Sequence, residues 1–223
     1  RSSERPAATK GGNPMLLWNR QLTISPDSLN AGMAGMIDAV THVNSVSDYE
    51  FALWSPILGT FGRVGISARC EDFGPFADEM AERGVQDEAF RAKVDAVGPC
   101  MAENPEDTLW QILHVAGEMG ALPNVLTYIR WQAAPSQLMA AIEFATGMAD
   151  FSSGVTGATT TVSACQWGYP NGIGLITGYD SVSAQQAASI AVGADSGFAE
   201  RLAASADIGR PETIETGVLR RIV

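Results

Sequence analysis

Two stretches set 109 residues apart decide the fold: LTISPDSLNAGM (Leu22–Met33) and WQAAPSQLMAAI (Trp131–Ile142). Pro26 falls on Pro135 and Leu29 on Leu138. The offset persists: RVGISARCED (Arg63–Asp72) falls on GIGLITGYDS (Gly172–Ser181), matching Gly65 with Gly174 and Glu71 with Asp180. With small deletions, DEAFRAKV (Asp87–Val94) meets DSGFAERL (Asp195–Leu202), and NPEDT (Asn104–Thr108) meets RPETI (Arg210–Ile214). Four matches in one order make an internal repeat. The reading is a loose N-terminal arm over residues 1–14, one repeat over 15–120 and a second over 121–223.

Each repeat parses into the same elements. A strand-length apolar segment (Met15–Ile24; Asn124–Ala133) ends at a proline, which stops the strand and presets the first helical turn. A helix follows (Asp27–Asn44; Ser136–Phe151), with Leu29, Met33, Met36, Ile37 and Val40 at helical spacing. Next come β-branched and aromatic runs, Tyr49–Ser55 and Ala158–Cys165. Loops over Ser55–Gly62 and Trp167–Gly172 lead into third strands, Arg63–Cys70 and Ile173–Tyr179. Two helices and a last strand (Thr108–Val115; Thr213–Ile222) complete a βαββαβ order, the ferredoxin-like unit. One such unit leaves a sheet face bare. Two copies facing each other would cover both, giving an α+β fold of two tandem ferredoxin-like repeats around a pseudo-dimeric α/β barrel.

Composition narrows the function. Hydrophobic residues are 46% of the 223, enough for a core, and the net charge of −11 repels phosphate backbones and anionic lipid. Partners expected are a small organic molecule and further copies of the chain, a homo-oligomer, with no nucleic acid and no membrane. The apolar runs are too short to span a bilayer, and a cytoplasmic location is expected. Cys70, Cys100 and Cys165 form no CxxC pair and read as buried thiols. SGVTGATTT (Ser152–Thr161) precedes a strand and lacks a phosphate-loop pattern. The acidic run Asp78–Glu88 reads as a solvated helix face.

The strand–Pro–helix openings at Pro26 and Pro135, the Gly65/Gly174 strands and the Pro105-Glu106/Pro211-Glu212 entries resemble the dimeric α/β-barrel superfamily in tandem-duplicated form. The resemblance covers about 205 residues as a pattern, not as a signature. It implies a cofactor-independent monooxygenase or cyclase, a non-catalytic binding or assembly protein, or a haem enzyme. Fold alone does not choose among these.

Strand alternation gives the candidate site. The more polar strand faces, assigned to the cavity, carry Asn19, Glu50, Trp54, Ser67, Arg69, Tyr128, Arg130, Thr161 and Ser163. Trp and Tyr among Arg and Asn suit a flat, partly oxygenated ligand. Arg130 or Arg69 would hold a carboxylate, phenolate or enolate, Tyr128 would donate a proton and Trp54 would stack. Tyr128 and Arg130 are the catalytic candidates and the others bind substrate. The competing reading is a set of satisfied ion pairs in a filled barrel. No metal site and no cofactor are expected, because the two histidines, His42 and His114, have no second histidine at ligand spacing. A haem-binding member would need His114.

Overall fold

The computed structural model describes residues 15–203, 205 and 208–223. The expected arm over residues 1–14 lies outside the described residues. Eight strands close into one antiparallel barrel in the order β1-β3-β2-β8-β5-β7-β6-β4. In chain order these are β1 (Leu16–Thr23), β2 (Phe51–Leu58), β3 (Arg63–Cys70), β4 (Glu106–Ala116), β5 (Val125–Gln132), β6 (Thr160–Trp167), β7 (Gly172–Tyr179) and β8 (Glu215–Arg221). The first four are ordered β4-β1-β3-β2 and the last four β8-β5-β7-β6, the same arrangement twice. The sheets join through β2–β8 and β4–β6, which removes the exposed edges that either sheet alone would present. This is the tandem ferredoxin-like architecture read from the repeat.

Among the described residues, six helices cover the outside: α1 (Leu29–Val46), α2 (Phe73–Gln86), α3 (Glu88–Val97), α4 (Leu138–Thr156), α5 (Val182–Ala194) and α6 (Ser196–Ala203). Pro26 opens a short 3-10 turn before α1, as its fixed φ favours. The matching Pro135 leads through a turn, so α4 begins at Leu138, two residues after the expected start. Asp72 caps α2 by accepting from Gly74 N, Asp87 caps α3 from Phe90 N, and Ser181 caps α5 from Ala184 N.

One expected loop is partly strand, and one helix runs past its expected end at Phe151. β2 runs on through Pro56 to Leu58. Pro56 is tolerated because β2 pairs with β3 only over Phe51–Trp54 and then turns to β8 with a bulge between Pro56 and Leu58. Ser152–Thr156, within the glycine-rich stretch, forms the last turn of α4, and Gly157 caps it with φ +71°.

The interior has three apolar clusters. One packs α1, α2 and α3 on the first sheet around Met36, Val40, Leu53, Val64 and Phe76. The second packs α4 through Ala141, Ala145 and Ala149, all fully buried, against Val162 and Ile173. The third lies inside the barrel, where Ala52, Trp54 and Leu126 meet Tyr128, Ile176 and Leu219. Among the described residues, no helix is long and apolar enough to cross a membrane.

Candidate functional site

Eight of the nine residues expected at the cavity line one cavity of about 910 Å³. Asn19, Trp54, Ser67, Arg69, Tyr128, Arg130, Thr161 and Ser163 point inward because each shares the period-2 face of its strand with other lining residues. Glu50 does not belong. It is exposed and precedes the first residue of β2, so the alternation that turns Ala52 and Trp54 inward has not begun there.

A polar cluster crosses one end of the barrel. Arg130 Nη2 donates to Glu215 Oε2 at 2.7 Å and to Gln21 Oε1 at 3.3 Å. Gln21 and Arg130 are 109 residues apart, so positions matched by the repeat meet across the lumen. Arg63 Nη1 stands 3.6 Å from the same Glu215 oxygen. The Arg130 guanidinium lies 5.2 Å from the centre of the Tyr169 ring, a cation–π distance. Tyr169 Oη donates to Thr213 O at 3.0 Å, which fixes that ring.

Aromatic walls extend from this cluster. Trp54 Nε1 donates to Ser67 Oγ at 2.8 Å, and Trp110 Nε1 donates to Thr108 Oγ1 at 2.8 Å. Both indole N–H groups are thus satisfied, and both rings are buried against their neighbours. Tyr128 lies flat on Gly217, where a Cβ would come within 2.5 Å of Cε1. Burial pushes the Tyr128 hydroxyl above its ordinary value, against the pull of Arg130. It is therefore a neutral donor at physiological pH.

The repeat is broken where the cavity meets the surface. Thr60 occupies the position that Tyr169 holds in the second copy. Tyr169 is wedged against Gly172, where a Cβ would meet its ring at 2.4 Å. On the Thr60 side the lining continues through Pro56, Leu58 and Gly59 at the point where β2 has left β3. Leu58 is exposed, so the cavity reaches solvent beside this hairpin.

A second lobe runs under α5, lined by Ala184, Ala187, Ala188 and Ala191 with Leu175 and Ile129 of the outer sheet face. Sequence reasoning missed this lobe, although the spacing of those four alanines is a helical face without bulk. It also missed Arg63, Glu215, Gln21, Trp110 and Tyr169. Arg63 shares a strand face with Ser67 and Arg69, so alternation alone could have found it.

His114 is not a cavity residue. Its Nε2 lies 2.7 Å from Asp150 on α4, outside the barrel. His42 Nε2 lies 2.9 Å from Asp87, also among the helices. The described cavity has no histidine, so His114, the ligand a haem-binding member would need, is not at its wall.

No protein-family model and no curated protein sequence matches the chain. Solved structures do. A candidate monooxygenase from Fusobacterium nucleatum superposes with a TM-score of 0.70 at 10% identity, over 94% of this chain and 93% of that one. An anthrone oxidase-like protein gives 0.67 at 12%, over 95% and 92%. A candidate chlorite dismutase gives 0.54 at 8%, over 95% and 96%. The chain has the dimeric α/β-barrel fold. In this dimeric α/β barrel both halves belong to one polypeptide, and the likeness at such identities is one of fold alone.

Proposed function

We propose that the protein is a cofactor-independent, monooxygenase- or cyclase-like enzyme that takes a flat aromatic or polyketide-like molecule into the barrel. The observation that carries this reading is the barrel lobe of the cavity, part of about 910 Å³ shared with the lobe under α5, with indole and phenol rings along its walls and a guanidinium–carboxylate cluster at one end. Such a site favours a planar ring system bearing oxygen.

The chemistry is stabilisation of an enolate or phenolate. Tyr128, kept neutral by burial, donates a hydrogen bond to the developing oxyanion. Arg130 opposes the same charge from two residues along β5, and its bond to Glu215 holds the guanidinium in place. Trp54, fixed through Ser67, forms the stacking wall. Asn19, Ser67, Thr161 and Ser163 supply short polar contacts, and Arg69 a second cation away from the cluster. An electron-rich enolate can itself reduce dioxygen, taking one oxygen atom and releasing the other as water. No separate reductant is then required.

The test uses 1,8-dihydroxyanthrone as a probe, since one structural neighbour is anthrone oxidase-like. Anthraquinone formation under air, followed by absorbance, should exceed the protein-free rate. Y128F and R130Q should each lower it about 10- to 100-fold, the usual span for a general-acid or oxyanion contact. A rate equal to buffer alone would sink the proposal.

One observation favours a second reading, a barrel that assembles with copies of itself. Leu58, Phe61 and Trp167, on the β2–β3 and β6–β7 hairpins, are 64%, 70% and 72% exposed. Large apolar side chains left exposed at hairpins are commonly covered by a partner. Sedimentation velocity distinguishes the two, because a monomer at micromolar concentration excludes assembly.

A further inference from the structure

We infer that Arg63 and Arg130 together form a subsite for an anionic oxygen group, a carboxylate, carried by the ring system that the cavity takes. The inference rests on the proposed ligand-binding role of the barrel and names the class of ligand. Among the described residues, Nε of both arginines is buried and has no hydrogen-bond partner. A buried donor without an acceptor is costly, and more so on a charged group. The ion pairs to Glu215 run through Nη of each arginine and leave both Nε donors unsatisfied.

Charge counting points the same way. Both guanidinium groups turn to one carboxylate, Glu215, through the same oxygen, at 2.7 Å from Arg130 and 3.6 Å from Arg63. Two positive charges share one negative charge, and Gln21, the other partner of Arg130, is neutral. Arg63 is held more loosely than Arg130, its side chain 34% exposed against 14%. Both line the cavity beside its opening at Thr60. A carboxylate entering there meets the part of the Arg63 side chain that stays exposed, and a turn of the guanidinium away from Glu215 brings Nε into the same bidentate contact. Its ring system then extends toward Tyr128 and Trp54.

The probes are 2-naphthoate and its neutral isostere 2-naphthamide, measured by calorimetry on the full chain. 2-Naphthoate should bind at least tenfold tighter than 2-naphthamide. R63Q should weaken 2-naphthoate at least tenfold and leave 2-naphthamide within twofold. E215Q, which removes the competing carboxylate, should tighten 2-naphthoate. In ¹⁵N-arginine-labelled protein, the Nε–H signals of Arg63 and Arg130 should shift with 2-naphthoate and not with 2-naphthamide. R130Q is the variant at greater risk of misfolding, so R63Q, at the half-buried start of β3, carries the decisive comparison. Equal affinity for the two probes, or a preference that survives R63Q, overturns the anion subsite and leaves the cavity reading standing. Failure of both probes to bind overturns the subsite and the cavity reading together.

Discussion

Tyr128 and Gly217 illustrate how one residue position on β8 sets the geometry of another on β5. The two are direct partners in the β5–β8 ladder, and the ring folds over the glycine. A Cβ at Gly217 would stand 2.5 Å from Cε1 and 3.0 Å from Oη. Gly217→Ala must therefore displace the ring into the lumen, at a cost of about 1–3 kcal/mol, the range for overpacking a core. Urea unfolding should read that loss, and Y128F should not reproduce it, since removing only the hydroxyl leaves the ring in place.

Tyrosine ionisation gives a second prediction at this scale. All four tyrosines, Tyr49, Tyr128, Tyr169 and Tyr179, are held above their ordinary value, burial being the leading cause at each. The unfolded chain then loses tyrosine protons at lower pH than the folded chain does. Stability from this source is fully present below about pH 10 and falls as the pH rises past that value. Absorbance at the phenolate band should begin to rise later in native than in urea-unfolded protein. Urea midpoints should fall between pH 9 and pH 11. Coincident native and unfolded titrations would contradict it.

At the scale of elements, the two repeats use one frame with different filling. Between α2 and the first sheet, Phe76 packs against Trp18, Tyr49, Phe51 and Phe73, at ring separations of 5.0 to 5.9 Å. At the corresponding positions of the second copy stand Gln185, Thr127, Ala158, Thr160 and Val182. The space filled by rings in one half is open under α5 in the other. Phe76→Ala should cost about 3–5 kcal/mol, as for a buried aromatic truncated to alanine. Gln185→Ala at the matched position should stay within about 0.5 kcal/mol. Thermal denaturation of the two variants checks both, and equal losses would show that the two helix–sheet layers are packed alike.

For the whole molecule, closure of the barrel is what makes a cavity possible. Each half contributes four strands, and the β2–β8 and β4–β6 ladders tie the halves together. Either half alone would leave one sheet face and both outer strands bare, with Trp54 or Tyr128 and Arg130 open to water. Residues 15–120 and 121–223, produced separately, should each be aggregated or self-paired. Mixed, they should form a one-to-one complex with the secondary structure of the intact chain. Size-exclusion chromatography with circular dichroism reads this outcome, and a stable monomer of either half would contradict the shared core.

The repeat, the βαββαβ order and the inward face of most strands are legible along the chain. These follow from local rules: proline stops strands, glycine marks turns, and side chains alternate at period 2 along a strand. The same rules put Asn19, Trp54, Tyr128 and Arg130 on faces that line one cavity. Glu50 went wrong because alternation counts residues and does not say where a strand starts. Folding alone brings Gln21 to Arg130 across the lumen, shares Glu215 between two arginines, and sets Tyr169 against Gly172 where the first copy has Thr60 at the cavity wall. Those relations join strands far apart in the chain. They depend on the closed ring of ladders and on its register, and neither is written in the spacing of residues along any one segment.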